Sequence, residues 1–201
     1  IGGGTVYIRS DTGAVHAIRL ADGAPLWRTS VGAPVEAPPL LAGHGLVVAA
    51  TADGVVVALE RRDGAPRWRT NAGDRVTGSA NVWRAPDGLE TVLVCGYDGL
   101  LYGLSALTGE RQWTYETGNM INGSPAVWAD TVLFGGCDAR FHVVRASDGT
   151  GLATTDVGSY IAASPAVADG RVYAGHYGGV LLCADAATGK VHYGRQSLEG
   201  V

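Results

Sequence analysis

One phrase recurs down the chain and limits what it can fold into: a tight Asp-Gly turn, then a second (Asp/Thr)-Gly turn with an aromatic four residues on. Asp53-Gly54 leads to Asp63-Gly64 and Trp68, and Asp98-Gly99 leads to Thr108-Gly109 and Trp113. A looser copy runs from Asp11 to Asp22-Gly23 and Trp27, and two decayed ones run from Asp138 to Asp148-Gly149 and from Gly178-Gly179 to Thr188-Gly189. The second-turn glycines Gly23, Gly64, Gly109, Gly149 and Gly189 are 41, 45, 40 and 40 residues apart. Self-similarity at that period means one supersecondary unit copied, each copy needing its neighbours to bury its apolar faces.

Within a copy the pattern divides into four strands. A small-residue entry comes first: Val35–Leu40, Val76–Asn81, Ile121–Ala126 and Ile161–Ala166 align without a gap at the same spacing. A turn follows, then a second strand (Leu46–Thr51, Thr91–Gly96, Thr131–Gly136, Arg171–His176), the Asp-Gly hairpin, a third strand and an outer strand that begins near the aromatic. Asp-Gly supplies the positive φ that a two-residue hairpin demands. The third strand, Val55-Val56-Val57-Ala58-Leu59 in the second copy, is apolar throughout instead of alternating, so both of its faces are expected to be buried. Four-stranded antiparallel units packed face to face are propeller blades, and the expected fold is an all-β propeller with repeats at about 1–34, 35–75, 76–120, 121–160 and 161–201. The first copy starts at Gly2-Gly3-Gly4, in the place of the turn Gly43-His44-Gly45, so it lacks an innermost strand. No matching entry follows Gln196, and the expectation is an open segment of a larger ring, with a true five-bladed ring as the alternative.

Composition removes several function classes. Charged residues make up 17% of the chain and the net charge is −4, with Lys and Arg scattered, so there is no basic field for nucleic acid. No run approaches the roughly 18 apolar residues of a membrane span. Cys95, Cys137 and Cys183 form no CxxC pair and read as free thiols.

The placing of the aromatic resembles the tryptophan-docking repeat of the quinoprotein-dehydrogenase-like propellers, A-x-D-x-x-x-G-x-x-x-W. Ala17…Gly23…Trp27, Ala58…Gly64…Trp68 and Gly103…Gly109…Trp113 carry it, while Asp185…Gly189 ends in Tyr193. The resemblance implies that Trp27, Trp68, Trp113 and Tyr193 pack onto the neighbouring blade as structural staples, and that rings of this kind close with seven or eight blades. Ala153 stands in the same slot, so the outer strand of the fourth blade is expected to be the least well stapled.

The superfamily holds both enzymes and scaffolds, and its site lies at one mouth of the central channel. The loops entering each first strand and the Asp-Gly hairpins reach that end. They place Glu36, Arg75, Thr77, Asn119, Asn122 and Tyr160 there, with Tyr97, Cys137, His176 and Tyr177 from the hairpins. Glu36, Thr77, Asn122 and Ala162 share one slot and are expected to form part of a ring. The family's enzymes hold pyrroloquinoline quinone (PQQ) over Ca²⁺, which takes six to eight oxygen ligands. Glu36 and Asn122 are ligand types here, but they come from non-adjacent blades, and the vicinal Cys-Cys pair that often contacts the quinone is absent. No catalytic residue and no cofactor are therefore expected. His16 and His142 read as core histidines, and the hairpin aspartates as turn formers. The texture is that of the BamB-like, non-enzymatic branch, which implies a scaffold binding a protein, peptide or small ligand in a periplasmic or other extracytoplasmic setting. A PQQ-dependent dehydrogenase and a sensor propeller fused to a catalytic domain are the alternatives.

Overall fold

The computed structural model describes residues 1–196, with side chains as far as His192. Among the described residues nineteen strands form five antiparallel sheets in strict sequence order. The first sheet has three strands, β1 (Thr5–Ser10), β2 (Ala14–Arg19) and β3 (Pro25–Ser30). The second has β4 (Leu40–Ala42), β5 (Leu46–Ala50), β6 (Val55–Glu60) and β7 (Pro66–Asn71), and the third β8 (Asn81–Arg84), β9 (Glu90–Cys95), β10 (Leu100–Ser105) and β11 (Arg111–Glu116). The fourth has β12 (Ala126–Trp128), β13 (Thr131–Gly135), β14 (Arg140–Arg145) and β15 (Gly151–Asp156). The fifth has β16 (Ala166–Ala168), β17 (Arg171–His176), β18 (Val180–Asp185) and β19 (Val191–Gln196). These are propeller blades.

Four apolar cores lie between the five blades, one at each interface. The middle strands feed two cores at once. Leu46, Val48 and Ala50 of β5 point to the third blade, while Val47 and Ala49 point back to the first. Successive side chains of a strand leave on opposite faces, so a strand between two blades must be apolar at every position. That is why β6 and β10 read as continuous apolar runs.

The innermost strands are shorter than the sequence pattern suggests. Pairing begins at Leu40, Asn81, Ala126 and Ala166, and the residues expected before them as strand run as loop. Pro38, Pro39, Pro125 and Pro165 have no N–H to give a ladder. Val76, Ile121 and Ile161 in these loops are instead fully buried in the cores between blades.

Aromatic docking repeats from blade to blade. The indole of Trp27 covers Gly64 and donates to the Arg61 carbonyl at 3.0 Å, and Trp68 covers Gly109 and donates to the Ala106 carbonyl at 2.9 Å. Trp113 covers Gly149, but its buried Nε1 has no partner among the described residues. These glycines have φ of +74°, +75° and +76°, and a Cβ there would collide with the indole. Two residues after the aromatic, Thr29 and Thr70 donate to the carbonyls of Gly64 and Gly109 at 2.7 and 2.6 Å. At Gly189 the seat holds Val143 and Ala153, and Thr155 donates to the Gly189 carbonyl at 3.2 Å. The expected docking of Tyr193 lies outside the described side chains.

Candidate functional site

One backbone hydrogen bond recurs at the hairpin end of each four-stranded blade. The amides of Ala52, Tyr97, Cys137 and Tyr177 donate to the carbonyls of Pro34, Arg75, Met120 and Tyr160, at 2.7 to 2.9 Å. It ties the β5–β6 hairpin and its counterparts β9–β10, β13–β14 and β17–β18 to the loop entering the same blade, and it pairs two rows of repeat positions at that end of the blades. One row is Pro34, Arg75, Met120 and Tyr160; the other is Ala52, Tyr97, Cys137 and Tyr177. His176, grouped by sequence with the hairpin residues, falls one place earlier, beside Gly96 and Gly136. Met120 shares the repeat slot of Arg75 and Tyr160, a signal present in the spacing that a search for polar residues passes over.

The rows differ in chemistry across the mouth. On the second and third blades the Arg75 guanidinium forks onto Glu36, with Nη2 2.6 Å and Nε 3.2 Å from the two carboxylate oxygens. It also lies 5.6 Å from the ring centroid of Tyr97, a cation–π arrangement. Hydrogen bonding and charge from Glu36 raise the Arg75 pKa further. On the fourth and fifth blades the rows turn apolar and open: Met120 is 38% exposed, Tyr160 53% and Tyr177 77%. Asn119 is exposed and turns its Oδ1 back onto the Met120 amide at 2.8 Å.

The slot of Glu36, Thr77, Asn122 and Ala162 is joined by contacts between blades. Thr77 Oγ1 donates to the Asn122 carbonyl at 3.1 Å. Asn122 Nδ2 lies 3.5 Å from Cys137 Sγ, while its Oδ1 is buried without a partner among the described residues. Burial and the Asp138 charge push the Cys137 thiol up, so it is no ready nucleophile. Glu36, the one carboxylate in the slot, is held by Arg75. Among the described residues no group of three or more His, Cys, Asp or Glu is placed to hold a metal. The donor set does not fit the calcium-and-quinone centre that the superfamily's enzymes use.

A second polar cluster lies between the third and fourth blades. Asp138 Oδ2 is 3.0 Å from His142 Nε2, and Tyr115 Oη is 3.1 Å from His142 Nδ1. A carboxylate only accepts, so Nε2 carries the proton and Nδ1 accepts from the tyrosine. The imidazole stacks on Phe134 at 5.0 Å between ring centres, and its pKa is lowered by burial, with Asp138 acting in the other direction. His142 is thus a core histidine, as its strand slot suggests, with both nitrogens satisfied. Tyr115 occupies the slot of Thr29, Thr70 and Thr155, and Gly151 opposite leaves room for its ring. The hairpin aspartates do more than form turns: Asp98 Oδ1 accepts from the Leu100 amide at 3.1 Å, while its Oδ2 accepts from the Tyr102 hydroxyl.

Several solved structures share this architecture. BamB from Moraxella catarrhalis is 26% identical with a TM-score of 0.81, covering 96% of this chain and 58% of that one. The computationally designed Ika8 protein is 18% identical with a TM-score of 0.79, over 91% of this chain and 56% of the other. Quinohemoprotein alcohol dehydrogenase from Comamonas testosteroni is 16% identical with a TM-score of 0.79, over 97% and 42%. The last two likenesses speak for the fold alone. The chain spans little more than half the length of the BamB structure. No curated protein sequence matches it. The family described as outer membrane protein assembly factor BamB matches over residues 1–84 and 44–201, which together take in the whole chain, and this propeller segment belongs to that family.

Proposed function

We propose that this segment is a non-catalytic binding and scaffolding module that presents its channel mouth to an extended segment of a protein partner. The observation that carries the reading is the pair of rows at the mouth. They carry exposed Met120, Tyr160 and Tyr177 on the fourth and fifth blades and the Glu36–Arg75–Tyr97 cluster on the second and third. Aromatic side chains of this kind supply large contact area at small entropic cost, and an adjacent Arg gives orientation. The family's description names the assembly of outer membrane proteins, and the partner is proposed to be a component of that assembly, met outside the cytoplasm. Neither quinone nor calcium enters this reading.

A photo-crosslinking amino acid at Tyr160 or Tyr177 of the protein in its native cell tests it. The expected product is a covalent adduct with a β-barrel assembly component, absent when the probe replaces Arg62 at the opposite end of the blades. Equal labelling from both ends, or none from the mouth, rejects the proposal.

A further inference from the structure

The connection between β8 and β9 departs from its counterparts. In the second, fourth and fifth blades the innermost hairpin makes three residue pairs and turns through Gly43–Gly45, Ala129–Asp130 or Asp169–Gly170. In the third blade a fourth pair, Arg84 with Glu90, lengthens the ladder, and the chain turns through Ala85–Leu89. This extension is what raises the spacing of the second-turn glycines to 45 residues there. Its turn is ordered by its own hydrogen bonds. The Ala85 amide donates to the Leu89 carbonyl at 2.8 Å, the Gly88 amide to the Ala85 carbonyl at 2.9 Å, and the Leu89 amide to Asp87 Oδ1 at 3.0 Å. Little of the turn is buried: Pro86 is exposed and Leu89 is 57% exposed. The other blades pack without such an extension, so blade packing does not account for it.

The extension walls a cavity of about 440 Å³ at the end of the blades away from the mouth, lined by Trp83, Arg84, Pro86, Ala129, Asp130 and Ser147. Pockets of about 300–1,000 Å³ take small ligands, so a bulky side chain fits inside. Trp83 is 8% exposed, and its indole Nε1 donates to the Ala129 carbonyl of the fourth blade at 2.9 Å, which fixes the apolar side of the cavity. On the fourth blade Asp130 Oδ1 accepts from the Ser147 amide at 3.0 Å and Oδ2 from the Ser147 hydroxyl at 3.1 Å. Each carboxylate oxygen has two lone pairs, so one on each remains for a further donor. The charges here do not cancel. Arg84 is held by Glu90, with Nε 2.9 Å from Oε1. Asp130, and Asp87 next to Pro86, have no Lys, Arg or His partner among the described residues. One uncompensated carboxylate therefore stands on each of the two blades that form the cavity.

We propose that this cavity docks an extended peptide segment of a partner protein in which a bulky apolar side chain is flanked by basic residues. The apolar side chain enters between Trp83, Pro86 and Ala129, and the flanking cations meet Asp87 on the third blade and Asp130 on the fourth. Charge complementarity selects this occupant. Both free carboxylates repel an acidic segment, and Glu90 already holds the local guanidinium. The site lies at the opposite end from the mouth, and it stands whether or not the mouth takes a protein partner.

The test titrates a fluorescein-labelled peptide, Gly-Ser-Lys-Phe-Lys-Ser-Gly, with the 201-residue protein and reads anisotropy. Saturable binding is expected, weakened severalfold as salt rises from about 0.05 M to about 0.5 M. Replacing the phenylalanine by alanine should cost about tenfold or more in affinity. Replacing both lysines by glutamate should abolish binding. In the protein, Asp87→Asn and Asp130→Asn should each weaken binding severalfold with an unchanged unfolding midpoint, because the asparagine Oδ1 still accepts from the Leu89 or Ser147 amide. Tyr177→Ala at the mouth should leave binding as it is. With benzoylphenylalanine in place of the phenylalanine, irradiation should label residues 83–89 or 129–147. No saturable binding, equal binding of the glutamate peptide, undiminished binding to both folded asparagine variants, or labelling at the mouth overturns the proposal. Free phenethylamine binding as tightly as the peptide also overturns it, and assigns the cavity to small amines.

Discussion

Ala153 faces Val143 across the β14–β15 ladder, where Trp27, Trp68 and Trp113 face Ala17, Ala58 and Gly103 in three of the other blades. The two positions exchange volume. A large aromatic on the outer strand is paired with a small residue on the third strand, and where the aromatic is lost the third-strand residue grows. Val143 Cγ2 then reaches the seat at Gly189 that an indole would cover. The fourth blade is therefore restapled by a smaller side chain from the neighbouring strand.

That exchange makes two substitutions non-additive. Ala153→Trp alone should destabilise by about 1–3 kcal/mol, the usual cost of overpacking. Combined with Val143→Ala it should recover most of that loss, because the pair then has the composition of Trp68 and Ala58. Urea midpoints of the two single variants and the double complete the cycle. A double variant no more stable than the sum of the singles would show that volume exchange is not what links the pair.

Trp68 is the best buried of the three docking tryptophans, 9% exposed and hydrogen-bonded to Ala106. Trp68→Ala should cost about 3–5 kcal/mol, the range for emptying a large aromatic site. The half-buried Trp27 should cost less when truncated. The comparison is read from denaturant unfolding of the two variants.

Ala139 occupies the turn slot of Gly13, Gly54, Gly99 and Gly179 with φ at +62°, a left-handed conformation that its Cβ disfavours. Ala139→Gly should stabilise the protein by about 1 kcal/mol through relief of that strain, less the added freedom of glycine in the unfolded chain. A lowered thermal midpoint would mean that the Ala139 methyl contributes more by packing than it costs in strain.

His142 is held neutral, its pKa lowered from 6.5 by burial in spite of Asp138, with Arg140 pushing the same way as burial. The unfolded chain therefore binds more protons near neutrality than the folded one, and stability rises with pH in that window. The contribution is complete above about pH 6.5 and is lost as the pH falls through the unfolded value toward the lower folded one. His142→Leu, matching Leu182 in the same slot, should flatten this part of the profile. Unfolding midpoints at about pH 8 and about pH 5 for both proteins measure it.

Glu36 is paired with Arg75, and among the described residues no group of three or more His, Cys, Asp or Glu is placed to hold a metal. Titration of the protein with pyrroloquinoline quinone and Ca²⁺ should give no saturable change in quinone absorbance, and Glu36→Ala should leave the unfolding midpoint nearly unchanged. Saturable quinone binding that Glu36→Ala abolishes would replace the scaffold reading with a dehydrogenase.

The repeat made the blades legible without coordinates, because a 40-residue period with two glycine turns leaves one solution that buries strands apolar on both faces. The Trp…Gly spacing likewise announced the stapling, since both partners are written in every intact copy. Tertiary structure alone decided what happens where the copies depart from one another. Tyr115 in a threonine slot finds space because Gly151 lies opposite, and it finds a partner in His142, 27 residues away in the next blade. The length of the innermost strands was also out of reach, because an entry residue such as Ile161 is apolar whether it extends its own ladder or fills the preceding blade's face. The hairpin pattern puts the candidate mouth residues at one end of the blades, but the contact that joins Arg75 to Glu36 of the preceding blade is made between loops distant in sequence. A local pattern fixes what each residue needs to bury or satisfy, and only the packing of one blade on the next determines which neighbour meets that need.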